Sequence, residues 1–215
     1  MVQQFYPLNH LFTYLLTHSL LYTRSTDGSL YFTDPTYGIK DKNGVIVNQQ
    51  IPYNGVYMIQ HKHVRESILS GTPTTFVKLL TSTMSMPNGL AFSPDYGKLY
   101  VSNSDISDPY WNVYDVDDNG LLANETVFFN ASTLAVAGHT GLPDGLKVDI
   151  HGNIFASGPG GVIVFSPKGD ILGKLMINQP VSNVAFGKDG KLYVTAKDIV
   201  TRVRVKTKPA DGSIK

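Results

Sequence analysis

The chain has no cysteine in its 215 residues. That excludes disulfides, thiolate metal ligands and cysteine nucleophiles together. It also has little charge: 16% of the residues are Asp, Glu, Lys or Arg, with 18 basic against 17 acidic side chains and a formal net charge of +1. So neutral a chain offers no general attraction to phosphate backbones or anionic lipid, and it reads as a partner of neither nucleic acid nor membrane. Within the acidic set glutamate is nearly missing, since fifteen residues are aspartate and two, Glu66 and Glu125, are glutamate. Long hydrophobic runs are missing too. The most apolar stretch, residues 11–22 (LFTYLLTHSLLY), contains threonine, histidine and serine and falls short of the ~20 residues of a membrane span. The first basic side chain other than histidine is Arg24, which follows this stretch instead of preceding it, so the signal-peptide pattern is not met and the compartment stays unread. No Gly-x-Ser-x-Gly elbow anchors a serine-hydrolase mechanism.

What is present is strand text. Hydrophobic residues make up 42% and aromatics 11%. From residue 24 onward, short β-branched and aromatic runs alternate with Gly, Pro, Asn and Asp, and no helical period is sustained. One phrase returns as DGSLYFTD (27–34), YGKLYVSN (96–103), HGNIFASG (151–158) and DGKLYVTA (189–196). A second precedes three of these by about ten residues: PNGLAFS (87–93), PDGLKVD (143–149) and VSNVAFG (181–187). The best-preserved unit runs GLKVD, NIFASG, GVIVFS and, after a Pro167-Lys168-Gly169-Asp170 turn, ILGKLMI. Four short antiparallel strands make one propeller blade. Asp144 to Ser182 is 38 residues and Asn88 to Asp144 is 56, so the earlier unit carries extra length, expected between Ser102 and Gly141. Periods near 40 residues favour a β-propeller over a sandwich, and this text fills about four to five blades.

On these phrases the chain resembles the family that joins gluconolactonases, senescence-marker (regucalcin) lactonases and luciferin-regenerating enzymes. The matching text is FTDPTYG (32–38), MPNGLAFSPDYGKLYVSNSD (86–105), LPDGLKVDIHGNIFASGPGGVIVFSPKGDILG (142–173) and SNVAFGKDGKLYVTA (182–196). The resemblance implies an all-β fold of the six-bladed propeller type, here incomplete. It also implies hydrolysis of sugar lactones at a divalent cation, calcium first, with magnesium and zinc as alternatives. Residue by residue, the asparagine of the PNG motif is Asn88 and the aspartate of the PDG motif is Asp144, both implied metal ligands, with Asp144 also implied in catalysis. Oxygen donors at converging strand starts suit a hard cation. Ser182 occupies the same repeat position, and it, Asn183, Asp34 and Tyr37 are candidates to contact the substrate.

Two parts of the family pattern have no counterpart. The first-blade glutamate is one, because Glu66 and Glu125 lie far from any innermost-strand start. The Asn-Asp-Val motif is the other, its place being taken by His18-Ser19-Leu20. Residues 1–23 therefore read as a non-matching segment ahead of a partial propeller over 24–215, truncated at its amino end. The alternative function is a degenerate, non-catalytic propeller that serves as a binding module or is inactive.

Plainer readings stand beside these. Asn-Gly and Asp-Gly are also simple turn formers. His61 and His63 alternate as if on one strand face, though two imidazoles without a third ligand seldom hold a metal. The GPGG run at 158–161 reads as a hairpin turn, without a helix to present amides to phosphate. Asn124-Glu125-Thr126 and Asn130-Ala131-Ser132 are glycosylation triplets that matter only in a secreted chain. Oligomeric state is not legible.

Overall fold

The computed structural model describes residues 22–135, apart from 48, 50 and 52, and residues 140–212. His18, Ser19 and Leu20, and all but the last two residues of the 1–23 segment, lie outside the described residues. The chain divides into two units, Met1–Pro87 and Asn88–Lys215.

Among its described residues, the first unit has one antiparallel sheet of four strands in sequential order: β1 (Tyr22–Arg24), β2 (Leu30–Asp34), β3 (Gly55–Ile59) and β4 (Lys78–Thr81). The β1–β2 turn is closed by Asp27, whose Oδ1 accepts from the Ser29 amide at 2.8 Å, with Gly28 at φ 87. The apolar residues of β2 and β3 bury Phe32, Tyr57 and Ile59 against Ile51 and Val77, and the Phe32 and Tyr57 rings stack with centroids 5.4 Å apart. Between β3 and β4 lies helix α1 (His61–Ser70), ended by Gly71 at φ 67. This corrects the strand reading of His61 and His63. Two residues apart on a helix they point in nearly opposite directions. His63 Nδ1 lies 3.0 Å from Glu66 Oε2 and its ring stacks on Phe76 at 4.2 Å. His61 Nδ1 lies against Gly28.

The second unit holds three consecutive sheets. The first comprises β5 (Pro87–Phe92), β6 (Lys98–Asn103), β7 (Tyr110–Val116) and β8 (Leu122–Asn130). The second comprises β9 (Leu146–Val148), β10 (Ile154–Gly158), β11 (Gly161–Phe165) and β12 (Ile171–Met176). The third comprises β13 (Val181–Phe186), β14 (Lys191–Ala196) and β15 (Ile199–Arg204). These are β-propeller blades, and with the first unit they make four of the four to five expected. The extra length of the 56-residue spacing sits in the nine-residue β8, the short helix α2 (Ser132–Ala135) and the connection to β9. The GPGG run closes the β10–β11 hairpin, with Gly158 opposite Gly161.

Strand alternation explains the stacking of these blades. On β9–β11, Leu146, Val148, Ile154, Ala156, Ile163 and Phe165 pack on Trp111, Tyr100 and Ala91 of the preceding blade. Phe155 and Val162 point the other way, onto Val181, Val184, Leu192 and Val194 of the following one. A sheet buried on both faces reads as the near-continuous apolar text seen here. Trp111 meets Phe165 edge to face at 5.2 Å, and each such fully buried large side chain contributes about 1.5–3 kcal/mol. The last blade differs. All six residues of β15 are exposed, and among the described residues no strand pairs on its outer side. Beyond β15 the chain returns to the middle blade. Ala210 N–H donates to Val148 O and Ile150 N–H to Lys208 O, both at 2.9 Å. Thr207 Oγ1 donates to the buried Asp149 carboxylate at 2.9 Å.

Candidate functional site

The three innermost strands of the second unit begin side by side. Gly89 and Gly145, which follow Asn88 and Asp144, do not have positive φ, so neither serves a left-handed turn. Their role is close approach. A Cβ on Gly89 would fall onto the Asp144 carbonyl oxygen and lie 2.9 Å from the Gly145 Cα. A Cβ on Gly145 would strike the Asn183 carboxamide and lie 2.8 Å from Ser182 O. The Gly145 amide donates to Ser182 O at 2.8 Å. The Asn-Gly and Asp-Gly pairs are thus seams between neighbouring strand starts, which corrects the simple turn reading and brings Asn88, Asp144, Ser182 and Asn183 to one end of the unit.

A hydroxyl reinforces the first seam, and two more bind the strand starts to the next strand of their own blade. Ser102 Oγ donates to Asp144 O at 2.7 Å and approaches Gly89 O at 3.3 Å. Ser157 Oγ donates to Gly145 O at 2.9 Å. Thr195 Oγ1 lies 2.8 Å from Ser182 Oγ and 3.3 Å from Asn183 O. Sequence reasoning missed this set, yet its signal is present: Thr33, Ser102, Ser157 and Thr195 are each the seventh residue of the recurring eight-residue phrase.

Asn88 is half-buried, and its Nδ2 donates to Ser104 Oγ at 2.9 Å. Ser104 Oγ in turn donates to Pro143 O. Asp144 is pushed up to about 7 by desolvation, partly offset by a hydrogen bond from the Gly145 amide. Burial disfavours the anion, and among the described residues no cationic side chain contributes to the balance at Asp144. A half-buried carboxylate and a neutral amide at adjoining strand starts offer oxygen donors of the kind that a hard divalent cation completed by water takes. Among the described residues no three His, Asp or Glu side chains gather into a fuller ligand set.

Ser182 is exposed and sits at a register irregularity in the β13–β14 pairing. Asn183 is half-buried, with Oδ1 accepting from the Val184 amide at 2.8 Å. Asp34 and Tyr37 belong to the first unit. Asp34 ends β2 opposite Gly55, and the partly exposed Tyr37 lies on a 3-10 turn, Thr36–Ile39, with Lys40 Nζ 5.8 Å from its ring centroid. His61 and His63 lie on α1.

The SMP-30/Gluconolactonase/LRE-like region matches residues 23–198. A gluconolactonase of Zymomonas mobilis is 41% identical over 187 residues, covering 85% of this chain and 49% of its own length. The pentonolactonase XacC of Haloferax volcanii is 32% identical over 130 residues, covering 58% of this chain and 41% of its own. Among solved structures, a gluconolactonase of Xanthomonas campestris superposes with a TM-score of 0.67 at 26% identity, over 87% of this chain and 56% of that one. The chain therefore spans less than half the length of these two curated relatives.

Proposed function

The chain belongs to the SMP-30/Gluconolactonase/LRE-like family, and from that premise we propose that it is a metal-dependent hydrolase that opens sugar lactones such as aldonolactones. The observation that carries this reading is the close approach of the strand starts that bear Asn88 and the half-buried, desolvated Asp144. The names of the Zymomonas and Haloferax relatives support the substrate class.

A divalent cation, calcium first, would be held by Asn88 Oδ1 and the Asp144 carboxylate and would supply polarisation of the lactone carbonyl. Asp144 in its ionised form accepts a proton from the water that adds to that carbonyl. It returns the proton to the ring oxygen as the acyl C–O bond opens, giving the hydroxy acid. Asn88, being neutral, would keep the net charge at the metal positive. The exposed Ser182 hydroxyl and Asn183 are proposed to contact the substrate hydroxyls.

The second reading is a non-catalytic binding propeller, favoured by a donor set with a single carboxylate. Opening of glucono-1,5-lactone, followed by acid release above the spontaneous rate, separates the two. The proposal expects slow hydrolysis that needs added calcium, magnesium or zinc, is lost in Asp144→Ala, and is unchanged in His61→Ala and His63→Ala. Activity that survives both a strong chelator and Asp144→Ala would sink the mechanism. Cation binding without hydrolysis would favour the binding module.

A further inference from the structure

We propose that Thr195 is a positioning residue for the lactonase site. It orients the Ser182 hydroxyl so that Ser182 meets the substrate as a hydrogen-bond acceptor and selects a lactone that carries a hydroxyl at that point. This inference rests on the lactonase reading given above and adds a residue and a polarity to it.

Ser182 is the second residue of β13. Its carbonyl accepts from the Gly145 amide at 2.8 Å, which holds it against the strand start that bears Asp144. In the β13–β14 register Val181 faces Ala196 and Asn183 faces Thr195, so Ser182 is the extra residue of a bulge. Bulges re-aim side chains and are over-represented next to active sites. This one brings the Ser182 hydroxyl to the Thr195 hydroxyl, with the two oxygens 2.8 Å apart. Both residues are exposed.

The polarity follows from counting protons. A hydroxyl has one proton to donate and lone pairs to accept with, whereas a backbone carbonyl only accepts. Two carbonyls lie within reach: Asn183 O is 3.3 Å from Thr195 Oγ1, and Thr195 O is 3.2 Å from Ser182 Oγ. If Thr195 donates to Asn183 O, Ser182 donates to Thr195 Oγ1. If Thr195 donates to Ser182 instead, the Ser182 proton goes to Thr195 O. The repeat favours the first arrangement, because Ser157 holds the place of Thr195 in the preceding blade and donates to Gly145 O at 2.9 Å, the carbonyl that corresponds to Asn183 O. In both arrangements the Ser182 proton is committed within the blade and a lone pair is left for the substrate. A substrate O–H satisfies that lone pair. An ether oxygen or a bare methylene does not.

The test compares Ser182→Ala, Thr195→Val, the double variant and Thr195→Ser with the unaltered chain in the presence of calcium. The substrates are glucono-1,5-lactone and δ-valerolactone, which has the same ring and no hydroxyl. The readout is the ratio of kcat/KM for the first to kcat/KM for the second, so a general loss of folded protein cancels. Removing one neutral hydrogen bond changes such a ratio by about two- to tenfold. Ser182→Ala is expected to lower the ratio by that amount, through KM for glucono-1,5-lactone and not through kcat. Thr195→Val is expected to lower it in the same direction, and Thr195→Ser, which keeps the hydroxyl, to recover it. The double variant is expected to match Ser182→Ala alone, since a residue that acts through another adds nothing once that one is removed. An unchanged ratio in Ser182→Ala or in Thr195→Val overturns the inference, as do losses that multiply in the double variant, and each of these leaves the lactonase reading standing. If the unaltered chain opens neither lactone above the spontaneous rate, the lactonase reading itself falls, and the role of Thr195 falls with it.

Discussion

Replacing Asp144 by asparagine should stabilise the metal-free chain at alkaline pH and leave it unchanged in acid. The carboxyl is raised from 3.8 to about 7 in the folded chain, chiefly by desolvation. A group whose folded-state pKa lies above its unfolded value holds an extra proton in the folded state between those two values. Stability from Asp144 is therefore fully present below about pH 4, falls as pH rises, and is lost once pH passes about 7. A gap of about three, at about 1.4 kcal/mol each, corresponds to about 4 kcal/mol. That is a large part of the 5–15 kcal/mol that holds an ordinary domain together. Asparagine has nearly the same shape and no charge to desolvate. In a chain of this size about 4 kcal/mol corresponds to a Tm difference on the order of 10 °C. Circular-dichroism melts of both proteins in chelator should give that difference at pH 8 and almost none at pH 4. Calcium in excess should narrow it at pH 8 by raising the Tm of the unaltered chain. An Asp144→Asn protein that melts lower at pH 8, or a difference equal at the two pH values, would refute the assignment of a desolvated, uncompensated carboxylate.

Two further outcomes follow from the seams and the edge. Gly89→Ala and Gly145→Ala should each destabilise by about 3 kcal/mol, because the added methyl meets the Asp144 carbonyl in one case and the Asn183 side chain and Ser182 O in the other; urea titrations with unchanged midpoints would contradict the close-approach reading. Val200→Lys on the exposed edge strand β15, where Val200 is 70% exposed, should cut concentration-dependent light scattering and leave Tm within about 1 °C, since a charge blunts edge pairing without disturbing the core.

Much of the second unit is legible in the residues. GLKVD, NIFASG, GVIVFS and ILGKLMI become β9 to β12 nearly to the residue, because turn residues and β-branched runs alternate there with little competition. The helix at His61–Ser70 is not legible in the same way. HKHVRESILS has few apolar positions, and Gln60 before it provides no side-chain cap, so only Gly71 marks its end. The glycines of the PNG and PDG motifs mislead for a different reason. A missing Cβ permits both a left-handed turn and a close backbone approach, and a single sequence does not separate the two uses. The Asn88–Ser104–Pro143 chain depends on contacts 16 and 39 residues apart in sequence, which no local pattern encodes. The recurring hydroxyl of the phrase was visible as a letter, and its carbonyl partner was not.

The return of the chain onto the middle blade has a consequence for how the protein breathes. Val148, Asp149 and Ile150 are bound to residues that follow the exposed blade in sequence: Ala210, Thr207 and Lys208. An open edge strand ordinarily frays by itself, and its amides exchange with solvent at little free-energy cost. Here the strap beyond β15 is anchored in the interior at the buried Asp149, so the edge blade is held at both its chain ends, by the β12–β13 connection and by the strap. Its opening is thereby coupled to loosening of the 147–150 segment. The slowest-exchanging amides of the last blade should then share one protection factor with Ile150 and Ala210, although these belong to different parts of the sequence. The outermost piece of sheet in this unit would behave, on the exchange timescale, as part of its middle.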